Sequence, residues 1–309
     1  MKSVLRLLPA LFFLTTFIHA DSRQPRFITF AAKEKSGIYL RNLKISEVSL
    51  LVDNQPVKVA YLGYKNVETA IAFILENSPR TAPHTVSMPQ WGKVNPIDQI
   101  RYQLVSDYFN QLVKNGTVMI AEFSKETKLL QDFTNDEFQL EDAVVRMQPN
   151  SLELMPENIE VGRAFAFGLE RLRKRPEKRK VLVLVTTTVD HQSYKNMEEY
   201  QETLRRNDVD LYVVSFAPRF PSASGTTFEE KMNRFFFLNL VEETSGKLYL
   251  SGEYAFVSEF TGDLKTRLEN SYTLGFYPPD GGAEPSDHEI KIVARNDKIS
   301  VTHRKKMIW

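Results

Sequence analysis

The chain has 309 residues, of which 42% are hydrophobic and 26% are charged. These fractions are typical of globular proteins and exclude a disordered chain or a long coiled coil. The 40 basic and 39 acidic residues nearly cancel, so the composition lacks the charge excess that binding to nucleic acid or to anionic membranes requires. Cysteine is absent, which excludes disulfides, thiolate catalysis and cysteine-ligated zinc.

The first residues have the pattern of an export signal. Lys2 and Arg6 give a short basic start, residues 7–18 form an apolar stretch, and the small residue Ala20 suits the position before a cleavage point. We therefore predict a cleaved signal peptide over residues 1–20, with an uncleaved anchor as the alternative, and an exported chain in the periplasm or the extracellular space. No later apolar stretch is as long as a membrane span, so we expect no stable membrane insertion after cleavage.

The chain then shows β-strand patterns before strands and helices begin to alternate. Residues 47–64 predict a hairpin whose turn is Asp53-Asn54-Gln55. Residues 69–75 are almost entirely apolar, which is typical of a central strand buried on both faces. The other predicted elements of this half are strands at 26–32, 117–123 and 128–133 and helices at 97–112, 135–147 and 161–172.

The second half continues the alternation, and residues 181–185 are the clearest buried strand. Strands alternating with helices predict an α/β fold with a mostly parallel central sheet and helices on both faces. We expect residues 67–270 to form this core, and the segments 21–66 and 271–309 to pair as a small flanking β module. The remaining predicted elements are helices at 194–206, 227–244 and 256–270 and strands at 211–216, 247–250, 272–277, 289–293 and 299–303.

Several short phrases, in a shared order, resemble one known family. Two of them are LVDNQPV and YTLGFYP, and the full set covers residues 42–48, 51–57, 123–136, 240–247, 272–278 and 290–293, with a basic ending at 303–305. Together they make the chain similar to secreted bacterial VWFA-related proteins of the acidobacterial type, which contain a Rossmann-like von Willebrand factor A domain. The resemblance implies an adhesion or protein–protein interaction module.

The resemblance also implies where a metal-ion-dependent adhesion site would lie. In the family, Asp, Ser and Thr at the strand ends supply oxygen ligands that suit a hard divalent cation. Here Glu76 replaces the first Asp, Ser78 keeps its type, Arg80 replaces the second Ser and Thr187 replaces the later Asp. A guanidinium would repel a cation, so we expect a degenerate site with no metal or other cofactor. If a metal does bind, we expect Mg²⁺ or Ca²⁺ on Glu76 and Ser78.

Arg80 leaves two interpretations open. Its charge could take the place of the cation and pair with Glu76 or with a carboxylate of a partner. Alternatively, the site has decayed and Arg80 points into solvent. Asp190 and Asp98 could hold a displaced cation, although solvated loop carboxylates are the simpler interpretation.

Catalytic motifs are few. The run Asp190-His191-Gln192-Ser193 suggests a catalytic cluster, with His84 at the same end of the sheet, but adjacent residues rarely face one another and no Gly-x-Ser-x-Gly elbow occurs. Metalloprotease, phosphate-loop and dinucleotide motifs are also absent from the sequence. We predict that the protein is not an enzyme, with a secreted hydrolase that uses His191 as the minor alternative.

Aromatic residues give the remaining indication of binding. Trp91 lies in a proline-bearing loop at the carboxyl end of the first core strand, where open α/β sheets bind ligands. Three consecutive rings at 235–237 cannot all face one core, so one should be partly exposed. We predict binding to an unknown protein partner, and not to nucleic acid, through the loops at 76–96 and 186–193. The runner-up is cation-dependent binding with altered metal ligands, and the basic run at 170–180 is interpreted as a solvated helix end.

Overall fold

The structure is a computed structural model that describes residues 24–64, 67–78, 86–88, 92–94, 96–104, 109–147, 159–215, 228–250, 255–279 and 285–309. The strands in these ranges are β1 (Arg26–Glu34), β2 (Val48–Val52), β3 (Gln55–Val57), β4 (Val59–Tyr64), β5 (Thr69–Glu76), β6 (Val86–Met88), β7 (Gly92–Val94), β8 (Gly116–Phe123), β9 (Thr127–Thr134), β10 (Arg179–Thr186), β11 (Val209–Ser215), β12 (Lys247–Leu250), β13 (Ser271–Phe276), β14 (Asp287–Ala294), β15 (Ile299–His303) and β16 (Lys306–Ile308). The helices are α1 (Pro96–Gln103), α2 (Phe109–Leu112), α3 (Glu137–Arg146), α4 (Val161–Arg173), α5 (His191–Lys195), α6 (Met197–Asn207), α7 (Phe228–Glu242) and α8 (Ala255–Glu269).

The central sheet has the strand order β12-β11-β10-β5-β8-β9. Every pairing in it is parallel except that of β9, which lies antiparallel to β8 at one edge. Successive residues of β5 point to opposite faces: Ile71 and Phe73 join one buried apolar cluster, and Ala72 and Ile74 join the other. The prediction of a mostly parallel sheet is confirmed, and the apolar sequence of β5 follows from burial on both faces.

Helices cover both faces of this sheet, as predicted. Residues of α1, α2, α3 and α8 pack in one apolar cluster, and residues of α4, α6 and α7 pack in the other. The approach of α4 depends on Gly168, because a Cβ there would lie 2.6 Å from Cδ1 of Leu182 in β10. The sheet is therefore held between two helical layers, and its polar carboxyl-terminal edge lies outside both apolar clusters.

The two end segments pair with each other, as predicted, and form a flanking β module of two four-stranded antiparallel sheets. One sheet has the order β15-β1-β13-β4 and the other the order β16-β14-β2-β3. In β14 exposed and buried residues alternate along the whole strand, the pattern of a strand with one face on a core and one in water. The core between the sheets contains Ile28 and Phe30 from β1, Leu274 from β13 and Ile290 from β14.

The hairpin predicted over 47–64 is correct in its first part and wrong in its second. The strands β2 and β3 flank a tight turn in which Asp53 and Asn54 both have positive φ angles, 49° and 63°, as two-residue hairpin turns require. Beyond residue 58, however, the chain crosses to the other sheet, where β4 pairs with β13. Pro56 lacks an N–H for a further ladder bond, which suits the edge position of β3.

The β module is anchored to the central domain by two arginines. Arg26 donates from Nε and Nη2 to the two carboxylate oxygens of Asp208, at 3.0 and 2.8 Å. Arg304 is almost completely buried and donates to the carbonyl of Val209 at 2.7 Å, with Asp210 Oδ1 3.8 Å from its Nη2. Because removing either acid would leave a guanidinium poorly compensated, these contacts fix how the module sits on the domain.

Two further comparisons with the sequence predictions concern element boundaries. The predicted polar helix at 194–206 is two helices, α5 and α6, separated at Asn196. The predicted helix at 97–112 is seen as α1 and α2, and residues 105–108 between them lie outside the described residues, as does the predicted signal peptide. Among the described helices, none combines the length and apolar character that spanning a bilayer requires.

Candidate functional site

The candidate site lies where parallel strands end together. Glu76 is the last residue of β5, Thr186 the last of β10 and Ser215 the last of β11. The register aligns these ends, since Val185 pairs with Leu75 and Thr186 pairs with Ser215. Parallel strands thus bring a carboxyl group and several hydroxyl groups, far apart in the sequence, to one edge.

The carboxyl group of Glu76 is completely buried and accepts hydrogen bonds from its own chain. Oε1 accepts from the hydroxyls of Ser78 at 2.5 Å and Thr187 at 2.8 Å. Oε2 accepts from the hydroxyl of Thr186 at 2.8 Å and from the backbone N–H of Thr187 at 2.6 Å. The Thr187 hydroxyl also lies 3.0 Å from Oε2. Each oxygen therefore has at least two donors, which is the satisfaction that a buried polar group needs.

The turn after β5 explains how Ser78 reaches back to Glu76. Asn77 continues the pairing with β8, because its backbone N–H donates to the carbonyl of Phe123 at 2.7 Å. Its side-chain amide donates to Oε2 of Glu122 at 2.8 Å. With Asn77 held against β8, Ser78 folds over the end of β5 and is itself buried.

These residues fit a divalent cation poorly. Mg²⁺ and Ca²⁺ are held by several oxygen ligands, usually with more than one carboxylate. In this cluster Glu76 supplies the carboxyl group, and the hydroxyls of Ser78 and Thr187 point their hydrogens at it. Within the described residues, no group of three or more acidic, histidine or cysteine side chains is placed to hold a metal. A cation would have to displace hydrogen bonds that the chain already makes.

Arg80 and Trp91 lie outside the described residues. Both interpretations of Arg80 therefore remain predictions, and so does the role of Trp91 as an anchor. Asp98 is half-exposed and forms an ion pair with Arg101 at 2.8 Å.

Asp190 acts as a helix cap, which differs from a solvated loop carboxylate. Its Oδ1 accepts from the backbone N–H of Ser193 at 2.8 Å, which caps α5. Its Oδ2 accepts from the Ser193 hydroxyl at 2.5 Å and from the N–H of Val161, the first residue of α4, at 2.9 Å. One carboxylate therefore satisfies donors at the starts of two helices, and these contacts use both of its oxygens.

A groove of about 560 Å³ adjoins Asp190 on the surface. It runs between the start of α4 and the helices α5 and α6, and its wall includes the exposed side chain of His191 and the ring of Tyr200. Burial raises the pKa of the Tyr200 hydroxyl above its ordinary value, opposed by hydrogen bonds with Asn196 and Ser193. The groove therefore presents a neutral phenol together with charged side chains such as Arg163 and Glu199, beside the Asp190 cap.

The hydrolase alternative needed Ser193 or a similar group beside His191. The hydroxyl of Ser193 instead donates to Asp190 and accepts from the N–H of Gly162 at 2.8 Å. His191 is exposed on α5, while His84 lies outside the described residues. Both hydrogen bonds of the Ser193 hydroxyl thus hold the starts of α4 and α5 together, and Ser193 is poorly placed to act as a nucleophile.

The sequence predictions named Glu76, Ser78 and Thr187 but missed other parts of this edge. Thr186 was detectable, because it follows the buried strand at 181–185 and opens a run of three threonines. Asn233 gave no signal: it lies within α7, yet it is buried and its Oδ1 accepts from the backbone N–H of residue 189 at 3.2 Å. Within the described part of the chain, its Nδ2 has no hydrogen-bond partner.

No protein-family model and no curated protein matches the sequence. Solved structures do resemble it, and several are von Willebrand factor A domains. The D319A mutant of the PilB minor pilin from Streptococcus sanguinis is 14% identical, with a TM-score of 0.48, over 66% of this chain and 62% of that one. A von Willebrand factor type A structure from Catenulispora acidiphila is 11% identical, with a TM-score of 0.48, over 94% and 75%. The conserved hypothetical protein BatB from Bacteroides thetaiotaomicron is 13% identical, with a TM-score of 0.44, over 65% and 98%.

The chain thus spans less than two thirds of the length of the pilin. These likenesses concern the fold alone. The narrower assignment to secreted bacterial VWFA-related proteins stays a prediction that depends on the sequence phrases.

Proposed function

We propose that this chain is an exported interaction module of the A-domain type, whose central domain is non-enzymatic and binds a protein partner at the carboxyl-terminal edge of its sheet without a divalent cation. The observation that carries the proposal is the saturated carboxyl group of Glu76, whose oxygens accept from Ser78, Thr186 and Thr187. A partner carboxylate bridged by a metal would need free oxygens at this position. A closed polar cluster instead stiffens the edge on which surface loops meet a partner.

The groove beside Asp190 supports this location for the contact. Ligand sites in open α/β sheets lie outside the carboxyl ends of the strands, and the groove opens on that side between α4, α5 and α6. Its accessible side chains include His191, Gln192 and Glu199. A shallow groove that contains both uncharged polar and charged side chains is typical of the rim of a protein interface.

Site-specific photo-crosslinking in the cells that make the protein tests the location. A crosslinking residue at position 191 should capture one partner protein. The same residue at Lys114, which is exposed at the opposite, amino-terminal end of β8, is the matched control and should not capture it. Equal capture from both positions, or capture only from Lys114, would contradict the proposal.

Metal dependence is tested on the same complex. We expect capture from position 191 to be unchanged by EDTA, and the melting temperature of the full chain to be unchanged by Mg²⁺, Mn²⁺ or Ca²⁺. A bound cation at a hundredfold excess over its Kd would stabilise the fold by about 2.7 kcal/mol. Stabilisation of that size, abolished in Glu76→Gln, would replace the proposal with cation-dependent binding.

A further inference from the structure

The flanking β module contains a second polar cluster, at the start of β14. The hydroxyl of Ser286 lies 2.8 Å from Nε2 of His288, and Nδ1 of His288 lies 2.7 Å from Oδ2 of Asp53. Ser286 and His288 are two residues apart along an extended segment and therefore point to the same face. Asp53 comes from the tight turn between β2 and β3, and pairing of β2 with β14 places it beside His288.

The neighbours of His288 fix its position. The indole ring of Trp309 stacks on the imidazole, with centroids 4.0 Å apart and planes 4° apart. The backbone carbonyl of Trp309 also accepts from the N–H of Ser286 at 3.1 Å. Asp53 is held as well, because its Oδ1 accepts from the backbone N–H of Glu289 at 2.8 Å. Both partners of the imidazole are therefore held by further contacts.

The imidazole of the cluster is buried, and the serine hydroxyl beside it is exposed, as a shielded base and an accessible nucleophile require. His288 is only 9% exposed, while Ser286 is exposed to solvent. The hydrogen bond with His288 lowers the pKa of the Asp53 carboxyl group, an effect that partial burial opposes. An ionised Asp53 accepts a hydrogen bond from the N–H at Nδ1 of His288, so that the lone pair of Nε2 faces the hydroxyl of Ser286. The base is thus shielded and oriented, and the hydroxyl that it faces is open to other molecules.

We propose that Ser286, His288 and Asp53 form a nucleophilic triad that hydrolyses activated carboxylic esters. Such triads are recognised by geometry and roles rather than by the order of the residues in the chain. In this one, hydrogen bonds link the nucleophile Ser286 to the base His288, and His288 to the orienting carboxylate of Asp53. The exposed position of Ser286 suits small esters that carry a good leaving group. This activity belongs to a different part of the molecule from the proposed binding edge, and either proposal can fail alone.

The reaction balances with water as the second reactant. Oγ of Ser286 bonds to the ester carbonyl carbon as its proton moves to Nε2 of His288. The bond to the leaving oxygen then breaks, and that oxygen takes the proton, which releases an alcohol and leaves an acyl-serine. Water adds to the acyl carbon and gives a proton to His288, and Ser286 departs with that proton as the carboxylic acid is released. One ester and one water yield one acid and one alcohol.

The test uses the full chain with two probes, p-nitrophenyl acetate for turnover and a fluorophosphonate for covalent labelling. Ser286→Ala should abolish labelling, and peptide mapping should place the wild-type label on Ser286. His288→Gln should lower the ester hydrolysis rate by about 100-fold or more, the usual contribution of a general base. The matched control is Ser300→Ala, another exposed serine of the β module, whose hydroxyl donates to a backbone carbonyl; it should leave both readouts unchanged.

Asp53→Asn separates a positioning role from a purely structural one. Asparagine tolerates the left-handed backbone of this turn, so the fold should persist. Its amide N–H₂ would face Nδ1 of His288, favouring the tautomer that turns an N–H, rather than a lone pair, toward Ser286. Labelling should therefore slow at least about 10-fold while the melting temperature changes little. Absence of label on Ser286 in the wild-type chain, or a label unaffected by His288→Gln and Asp53→Asn, would overturn the triad.

Discussion

Two polar clusters in this protein each contain a carboxyl group and a serine hydroxyl, and they differ in how far these groups are exposed to solvent. At the edge of the central sheet, Glu76 is completely buried and each of its oxygens accepts from two donors of its own chain. In the β module, Asp53 and His288 are similarly hydrogen-bonded, but the chain of contacts ends at the exposed hydroxyl of Ser286. The first cluster is closed upon itself, and the second has an end that other molecules can reach.

The difference teaches that a carboxyl group hydrogen-bonded to its neighbours can be structural or can support chemistry, depending on whether the cluster is closed or ends in solvent. A buried carboxyl group with every lone pair used stabilises the fold, because losing a partner leaves a desolvated group unpaired. A cluster that ends in solvent gains little stability from its outermost bond, since water replaces that bond when it breaks. Stability measurements on the two clusters should therefore diverge.

The largest expected effect is that of Glu76→Leu. Leucine roughly fills the space but accepts no hydrogen bond, so the N–H and the hydroxyl of Thr187 and the hydroxyl of Ser78 lose the Glu76 oxygens. The Thr186 hydroxyl can still donate to the carbonyl of Thr188, 3.0 Å away. At about 1–3 kcal/mol for each buried unsatisfied donor, partly relieved by hydroxyl rotation, we expect a loss of about 4 kcal/mol. The measurement is the free energy of unfolding in urea.

Glu76→Gln is a milder substitution at the same position and should cost less stability. The backbone N–H of Thr187 cannot rotate, so the carboxamide oxygen must face it, and the rotatable hydroxyls must adapt to the amide nitrogen. We expect a loss of about 2 kcal/mol. If both variants stayed within about 0.5 kcal/mol of the wild type, the cluster would contribute nothing and the contrast between the two regions would collapse.

The elements were more predictable from the sequence than the contacts of the site. The apolar runs of β5 and β10 predict strands buried on both faces, because a strand in which successive side chains are all apolar has no face suited to water. The pairing of the chain ends was also predicted, since their strands have no place in a parallel sheet with helical crossovers. The crossing of β4 to the second sheet was not, because a continuous β pattern at 47–64 does not show which partner each part has.

The functional contacts depend on placements that no local pattern encodes. Asp190 shares a run with His191 and Ser193, and the run suggested catalysis, whereas the chain folds so that Asp190 caps α4 and α5. Asp53 and His288 are separated by 235 positions in sequence, and only the pairing of β2 with β14 joins them. The sequence correctly predicted that Asp53 lies in a turn. Its contact with His288 could not be predicted, because that contact depends on how β2 and β14 are paired.

An intermediate effect is expected at Ser215, on the same edge as Glu76. Its hydroxyl is completely buried and has no hydrogen-bond partner within the described residues. Ser215→Ala removes an uncompensated polar atom, so we expect the free energy of unfolding to rise by about 1 kcal/mol. A loss of stability would show that the hydroxyl has a partner there, and the closed cluster would then be larger than the contacts of Glu76.

The smallest expected effect is the pH dependence of the contact between Asp53 and His288. Because the folded pKa of Asp53 lies below its ordinary value of 3.8, the carboxylate contributes stability above that value and loses it as pH falls through the folded pKa. The Asp53 side chain is 53% exposed, so solvent screening keeps the contribution below about 1 kcal/mol. Urea unfolding of wild type and Asp53→Asn, compared from about pH 5 to about pH 2.5, should show a small gap that closes at the acid end. A gap that is large, or that widens with acid, would mean that this cluster stabilises the fold as the buried one does, and Ser286 would no longer be its open end.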